Sequence, residues 1–156
     1  MTNTSSYKKK GKLLYFESKF LEAIKNFNKA IDLDPEDSES IRFRGFCKYC
    51  LEQYEDAIKD LNKAIELNPE DSESWDYRGQ SKYYLEQYED AIKDLYKAIE
   101  LNPKNYSSWD FRGFCKYYLN QYEDAIKDLD KVIELNSENY DGLLYRGCCK
   151  SSLVKY

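Results

Sequence analysis

The 156-residue chain has no histidine, only three prolines and six glycines, and a single methionine. Without histidine, no serine or cysteine nucleophile can be paired with an imidazole base, and a zinc site loses its commonest nitrogen ligand. No apolar run approaches the roughly 20 residues that a membrane-spanning helix needs. A cationic excess is also missing. The net charge is −5 and the pI is near 5.0, which argues against nonspecific association with nucleic acid or an anionic membrane. The one basic cluster is Lys8, Lys9, Lys10 and Lys12. The run after it, Leu13-Leu14-Tyr15-Phe16, is too short for a signal-peptide core. Five cysteines, an odd count without a disulfide-scaffold spacing, suit a reducing compartment. Cys47-x-x-Cys50 has no second pair to complete a metal site. These features predict a soluble, cytoplasmic protein with no metal and no cofactor.

What the chain does have is a period. Pro35, Pro69 and Pro103 stand 34 residues apart, and Ser137 falls where a fourth proline would be. Gly11, Gly45, Gly79, Gly113 and Gly147 keep the same step, as do Ala23, Ala57, Ala91 and Ala125. A fixed period of this length marks a supersecondary unit that buries its apolar face only by stacking on its neighbours.

Residues 38–71 illustrate one unit. Ser38 is placed to cap a helix starting near Glu39. Ile41, Phe43, Phe46, Tyr49 and Leu51 follow, with Gly45 between them. A mid-helix glycine costs roughly 1 kcal/mol relative to alanine, so its return in five copies predicts a neighbouring helix too close for a side chain. After a break at Glu52-Gln53, a second helix is predicted from about Tyr54 to Leu67. Its apolar residues Tyr54, Ala57, Ile58, Leu61, Ala64 and Ile65 form one helical stripe. Asn68-Pro69 ends it. The units are expected at 4–37, 38–71, 72–105 and 106–139, with a half unit or capping helix at 140–156. The fold class is all-α, an α-solenoid of helix-turn-helix repeats with nine helices.

These residues carry a resemblance to the tetratricopeptide repeat family. Trp75 and Trp109 match the aromatic start of the first helix, with Ile41 and Tyr7 in their place elsewhere. The glycines, the alanines of the Ala57 and Ala64 positions and the prolines complete the pattern. The resemblance implies a right-handed superhelix in which first helices line the concave face and second helices the convex one. Some members hold the C-terminal carboxylate of a chaperone tail in a basic clamp. Those positions hold Lys8, Lys12, Phe43, Glu73 and Tyr77 here. Only Lys8 matches, so the chaperone-tail role is rejected.

Two departures from the family pattern carry charge. Arg44, Arg78, Arg112 and Arg146 precede the glycines, and Lys48, Lys82, Lys116 and Lys150 follow four residues later. Like charges at i and i+4 repel. The second helix offers Asp60, Asp94 and Asp128 in register, and the first unit exchanges both partners, to Lys10 and Asn26. Bridges Arg44–Asp60, Arg78–Asp94 and Arg112–Asp128 are therefore predicted.

Units two and three differ in the second helix only at Asn62/Tyr96. Their first helices differ at Ile41/Trp75, Arg42/Asp76, Phe43/Tyr77, Phe46/Gln80, Cys47/Ser81 and Cys50/Tyr84. A kept scaffold with one varying helix is the signature of a binding surface, or of drift. The expected peptide-binding groove comprises Arg42, Phe43, Phe46, Asp76, Tyr77, Gln80, Tyr84, Asp110, Phe111, Phe114 and Tyr118. Aromatic rings give large contact area at low entropy cost. Tyr49, Tyr83 and Tyr117 serve equally well as packing or as binding residues. A partner peptide would bring apolar anchors, with basic residues facing Asp76 and Asp110. No phosphate loop or catalytic constellation is present, so an enzyme is not expected. The function read from the sequence is a non-enzymatic protein-interaction scaffold binding a peptide or protein partner. The alternative is a structural array that self-associates through its terminal half repeat, giving a homo-oligomer through the C-terminal helix.

Overall fold

The computed structural model describes residues 4–154. They form helices α1 (Thr4–Phe16), α2 (Phe20–Leu33), α3 (Ser38–Cys50), α4 (Tyr54–Leu67), α5 (Ser72–Tyr84), α6 (Tyr88–Leu101), α7 (Tyr106–Tyr118), α8 (Tyr122–Leu135) and α9 (Tyr140–Val154). The second helix of unit two, residues 38–71, spans the expected residues. Its first helix starts one residue early, at Ser38. The cap is Asp37, whose side chain accepts the backbone N–H of Ser40, a satisfied first-turn donor. Asn105 caps α7 in the same way.

The break inside each hairpin uses neither glycine nor proline. Ser18, Glu52, Glu86 and Asn120 each take φ of 59°. In unit two, the left-handed residue lets Glu52 N–H reach Tyr49 O and Gln53 N–H reach Lys48 O, both at 2.9 Å. The last carbonyls of the first helix are satisfied, and the chain reverses in three residues.

Each helix packs on the next. Beyond that, contacts skip a helix only between α1 and α3, α3 and α5, α5 and α7, and α7 and α9. First helices therefore touch across unit boundaries and second helices do not. The array curves toward its first helices, which form the inner wall.

The core repeats with the sequence. Ala23, Ala57, Ala91 and Ala125 are fully buried, as are Phe27, Leu61, Leu95 and Leu129 four residues on. The glycines answer to that second series. A Cβ at Gly79 would lie 2.7 Å from Leu95 Cγ, and one at Gly113 would lie 2.9 Å from Leu129. Cys47, Ser81, Cys115 and Cys149 share one repeat position, two residues after the glycine, and are fully buried. Burial pushes the thiols of Cys47 and Cys115 up to about 12, which keeps them inert at neutral pH.

The bridges between paired helices are present in three units. Arg78 donates from Nε and Nη2 to Asp94 at 2.8 and 2.6 Å, and Lys82 Nζ lies 2.7 Å from the same carboxylate. Arg44 and Lys48 hold Asp60, and Arg112 and Lys116 hold Asp128, at matching distances. The aspartate thus cancels the repulsion along the first helix. In the first unit Asn26 instead donates to the backbone of Glu22. Two of the arginines also reach back one unit, Arg44 Nη1 to Asn28 and Arg78 Nη1 to Asn62, whereas Arg112 meets the ring of Tyr96 at 5.8 Å instead. Arg78 and Arg112 lie over Trp75 and Trp109 at 4.7 and 4.9 Å. Those indoles donate to the carbonyls of Pro69 and Pro103, which ties each unit to the preceding turn.

Candidate functional site

The inner wall is a continuous run of rings contributed mainly by first helices. Tyr15 meets Phe43 edge-on, and Phe43 meets Phe46. Phe46 stacks on Tyr77 with centroids 4.1 Å apart. The run continues through Tyr49 and Tyr84 to Phe111, Tyr83 and Phe114, and ends on Tyr145.

Seven rings were expected at the groove, and the structure separates four of them into two pairs. Phe46 and Phe114 are 3% and 7% exposed. They sit in seams between neighbouring first helices, against Tyr77 and Tyr145. Tyr84 and Tyr118 are 47% and 44% exposed. Each is backed by a ring from the preceding hairpin. Tyr54 lies parallel to Tyr84 at 4.8 Å, and Tyr88 lies parallel to Tyr118 at 5.1 Å. One face of each tyrosine is therefore held and the other is open. Of the remaining expected rings, Phe43 is buried while Tyr77 and Phe111 are half-buried. Tyr49, Tyr83 and Tyr117 are half-buried too, packed within the same clusters.

The expected polar contacts are engaged inside the chain. Arg42 Nη1 lies 2.9 Å from both Asp71 and Glu73, with its guanidinium over Phe43 and Phe46. Asp76 is buried and accepts from Ser108 Oγ, Gln80 Nε2 and Asn105 Nδ2 at 2.7, 2.9 and 3.1 Å. Burial pushes its carboxyl above the ordinary range, opposed by those three bonds. Gln80 also accepts from Tyr49 Oη at 2.7 Å. Much of the variation between units two and three is therefore seam chemistry: a ring seam at Phe46 becomes a polar network at Gln80. A partner's basic residue has no open oxygen at Asp76, which corrects the expectation that it would face one there.

Sequence reasoning missed this inter-unit polar series, although a signal existed. Lys8 pairs with Asp37, Arg42 with Asp71, Asp76 with Asn105 and Asp110 with Asn139, each 29 residues apart. A cation on one side goes with aspartate on the other, and aspartate goes with asparagine. Lys8 and Lys12 are further bridged to Glu39.

Asp110 is the weak member of that series. Phe114 and Gly142 stand where Gln80 and Ser108 serve Asp76, so only Asn139 donates to it, at 2.9 Å. Its Oδ1 is buried with no partner among the described residues. Burial raises its carboxyl to about 6; the Asn139 bond opposes the shift and the Asp141 charge adds to it. A folded-state value above the usual one means that Asp110 contributes stability below about pH 4, and that this is lost as pH rises through 6. Asp110→Asn is expected to be more stable than the parent by about 2 kcal/mol at pH 7. The difference should shrink toward pH 4. Paired urea melts from pH 4 to 8 check this; a difference that does not change with pH would contradict it.

A cleft of about 630 Å³ opens beside this network, lined by Tyr49, Glu73, Tyr77, Lys104 and Tyr106 among others. It joins the α5 face to the α6–α7 turn. Among the described residues no cluster of three or more side chains is placed to hold a metal ion. No helix among them is long and apolar enough to cross a membrane.

No curated protein sequence matches the chain. Solved structures do, at the level of fold. MamA superposes with a TM-score of 0.84 at 21% identity, covering 91% of this chain and 83% of that one. YrrB, described as a TPR protein with an unusual peptide-binding site, gives 0.82 at 22%, covering 94% and 75%. The first TPR of Spaghetti (RPAP3), bound to the HSP90 peptide SRMEEVD, gives 0.73 at 21%, covering 78% and 96%. Tetratricopeptide-repeat models match residues 4–37, 38–71, 73–105 and 106–139. With helix pairs that stack at a 34-residue step around an aromatic inner wall, the chain belongs to the tetratricopeptide repeat family.

Proposed function

We propose that the protein is a non-enzymatic interaction scaffold that takes a peptide segment of a partner along its inner wall. The observation that carries this reading is the pair of half-exposed tyrosines, Tyr84 and Tyr118, each stacked on a fixed ring behind it. A ring held from one side loses little entropy when a partner covers the other. The two occupy the same position in successive units, so they suit a segment that runs along the array. Phe111 supplies half-buried floor beside Tyr84, and Tyr77 extends it one unit back, against Tyr49. Phe43, Phe46 and Phe114, with Arg42, Asp76, Gln80 and Asp110, set the spacing and shape of that floor from behind. The cleft beside Glu73 and Lys104 offers both charges to a polar group on the segment. Peptide binding by relatives of this fold supports the reading.

A peptide library selected against the protein tests it. Peptides recovered on the parent should bind the Tyr84→Ala, Tyr118→Ala double variant at least tenfold more weakly, since buried aromatic anchors are each worth about 1–2 kcal/mol or more. Undiminished binding would remove the inner wall from consideration.

A further inference from the structure

Helix α9 carries a face that the described residues leave exposed. Leu143, Gly147, Lys150 and Val154 fall at i, i+4, i+7 and i+11 on α9, and all four are exposed. The corresponding stripe in unit two is covered: Ile41 is 3% exposed where Leu143 is 43%. Gly45 there lies against Leu61 and Asp60 of the second helix. A Cβ at Gly147 would meet nothing within 4 Å.

The charges on this face are already set. Arg146 Nη1 reaches back to Asp130 at 2.9 Å, as Arg44 reaches Asn28 and Arg78 reaches Asn62. In units two and three the arginine that makes this backward bond gives its Nε and Nη2 to an aspartate. Among the described residues no carboxylate takes those two nitrogens of Arg146 or bridges them to Lys150. Three features thus recur that elsewhere receive one kind of helix: a glycine notch for a leucine, a cation pair for an aspartate, and an apolar residue above them.

From this we infer that α9 binds a partner helix bearing, in order, a small residue, an aspartate three positions later and a leucine immediately after. That is the chemistry of Ala91, Asp94 and Leu95 in α6. The occupant is an amphipathic partner helix whose aspartate is free to meet both cations. A second copy fits poorly, because its own Asp60, Asp94 and Asp128 are each held by two cations. This face is separate from the inner-wall tyrosines, so the two proposals fail independently.

The probe is a labelled synthetic peptide with the sequence of residues 88–101, titrated against the protein by fluorescence anisotropy. Saturable binding is expected. The peptide with Asp94→Asn should bind at least tenfold more weakly, and Gly147→Leu in the protein should abolish binding while leaving the helical circular dichroism and the inner-wall peptides unaffected. No saturation in the high micromolar range, or equal binding to Gly147→Leu, overturns the inference. A concentration-dependent dimer that Gly147→Leu dissolves, without peptide binding, assigns the face to a second copy and also overturns it.

Discussion

Asp94→Asn is expected to lower stability by about 3 kcal/mol, a fall of roughly 6–12 °C in Tm. The carboxylate is nearly buried and answers two cations, Arg78 through a two-point contact and Lys82 at 2.7 Å. Asparagine keeps one acceptor, loses the charge, and turns an amide donor toward groups that only donate. Arg78 and Lys82 then repel each other along α5 without compensation. Both retain some access to water, which places the loss at the lower end of the range for a broken buried pair. The site is in the third unit, so the damage spreads to interfaces on both sides. Asp90→Asn is the matched control. Asp90 sits four residues earlier on the same helix, in an exposed pair with Lys93, and its loss should leave the melt nearly unchanged. Equal Tm values for the two variants would show that the triad holds nothing together.

Gly79→Val and Gly147→Val are expected to part company although they share one repeat position. At residue 79 even a Cβ lies 2.7 Å from Leu95 Cγ and 3.3 Å from the Ala91 carbonyl. Leu95 is fully buried and has nowhere to go. Three added carbons must push α5 and α6 apart, at about 3 kcal/mol. At residue 147 the same carbons meet solvent, and valine is no worse a helix former than glycine. That variant should stay within about 0.5 kcal/mol of the parent. Thermal or urea melts of the two variants decide it, and similar losses at both would refute the account of the glycine step as a packing notch.

That pair also marks how far sequence reasoning reached. The 34-residue step, the hairpin boundaries and the Arg–Asp bridges were legible because each is set within one unit. Helical periodicity fixes which residues of a hairpin face each other, and the joint change to Lys10 and Asn26 in the first unit exposed the bridge directly. The glycine notch was legible for the same reason, as a cost repeated where only close approach could justify it.

Only the tertiary structure separated Phe46 and Phe114 from Tyr84 and Tyr118. All four lie toward the inner wall, and each tyrosine is just four residues beyond its repeat's equivalent of Phe46. Whether a ring there is sealed into a seam or left half open depends on the spacing of neighbouring first helices, and that spacing is a property of the curved stack. Asp76 followed the same logic. It reads as a free acid on the groove until the next unit, 29 to 32 residues away, brings Asn105 and Ser108 onto it. Contacts within a hairpin are written in its own residues, whereas contacts between hairpins depend on how the units tilt, which no single repeat contains.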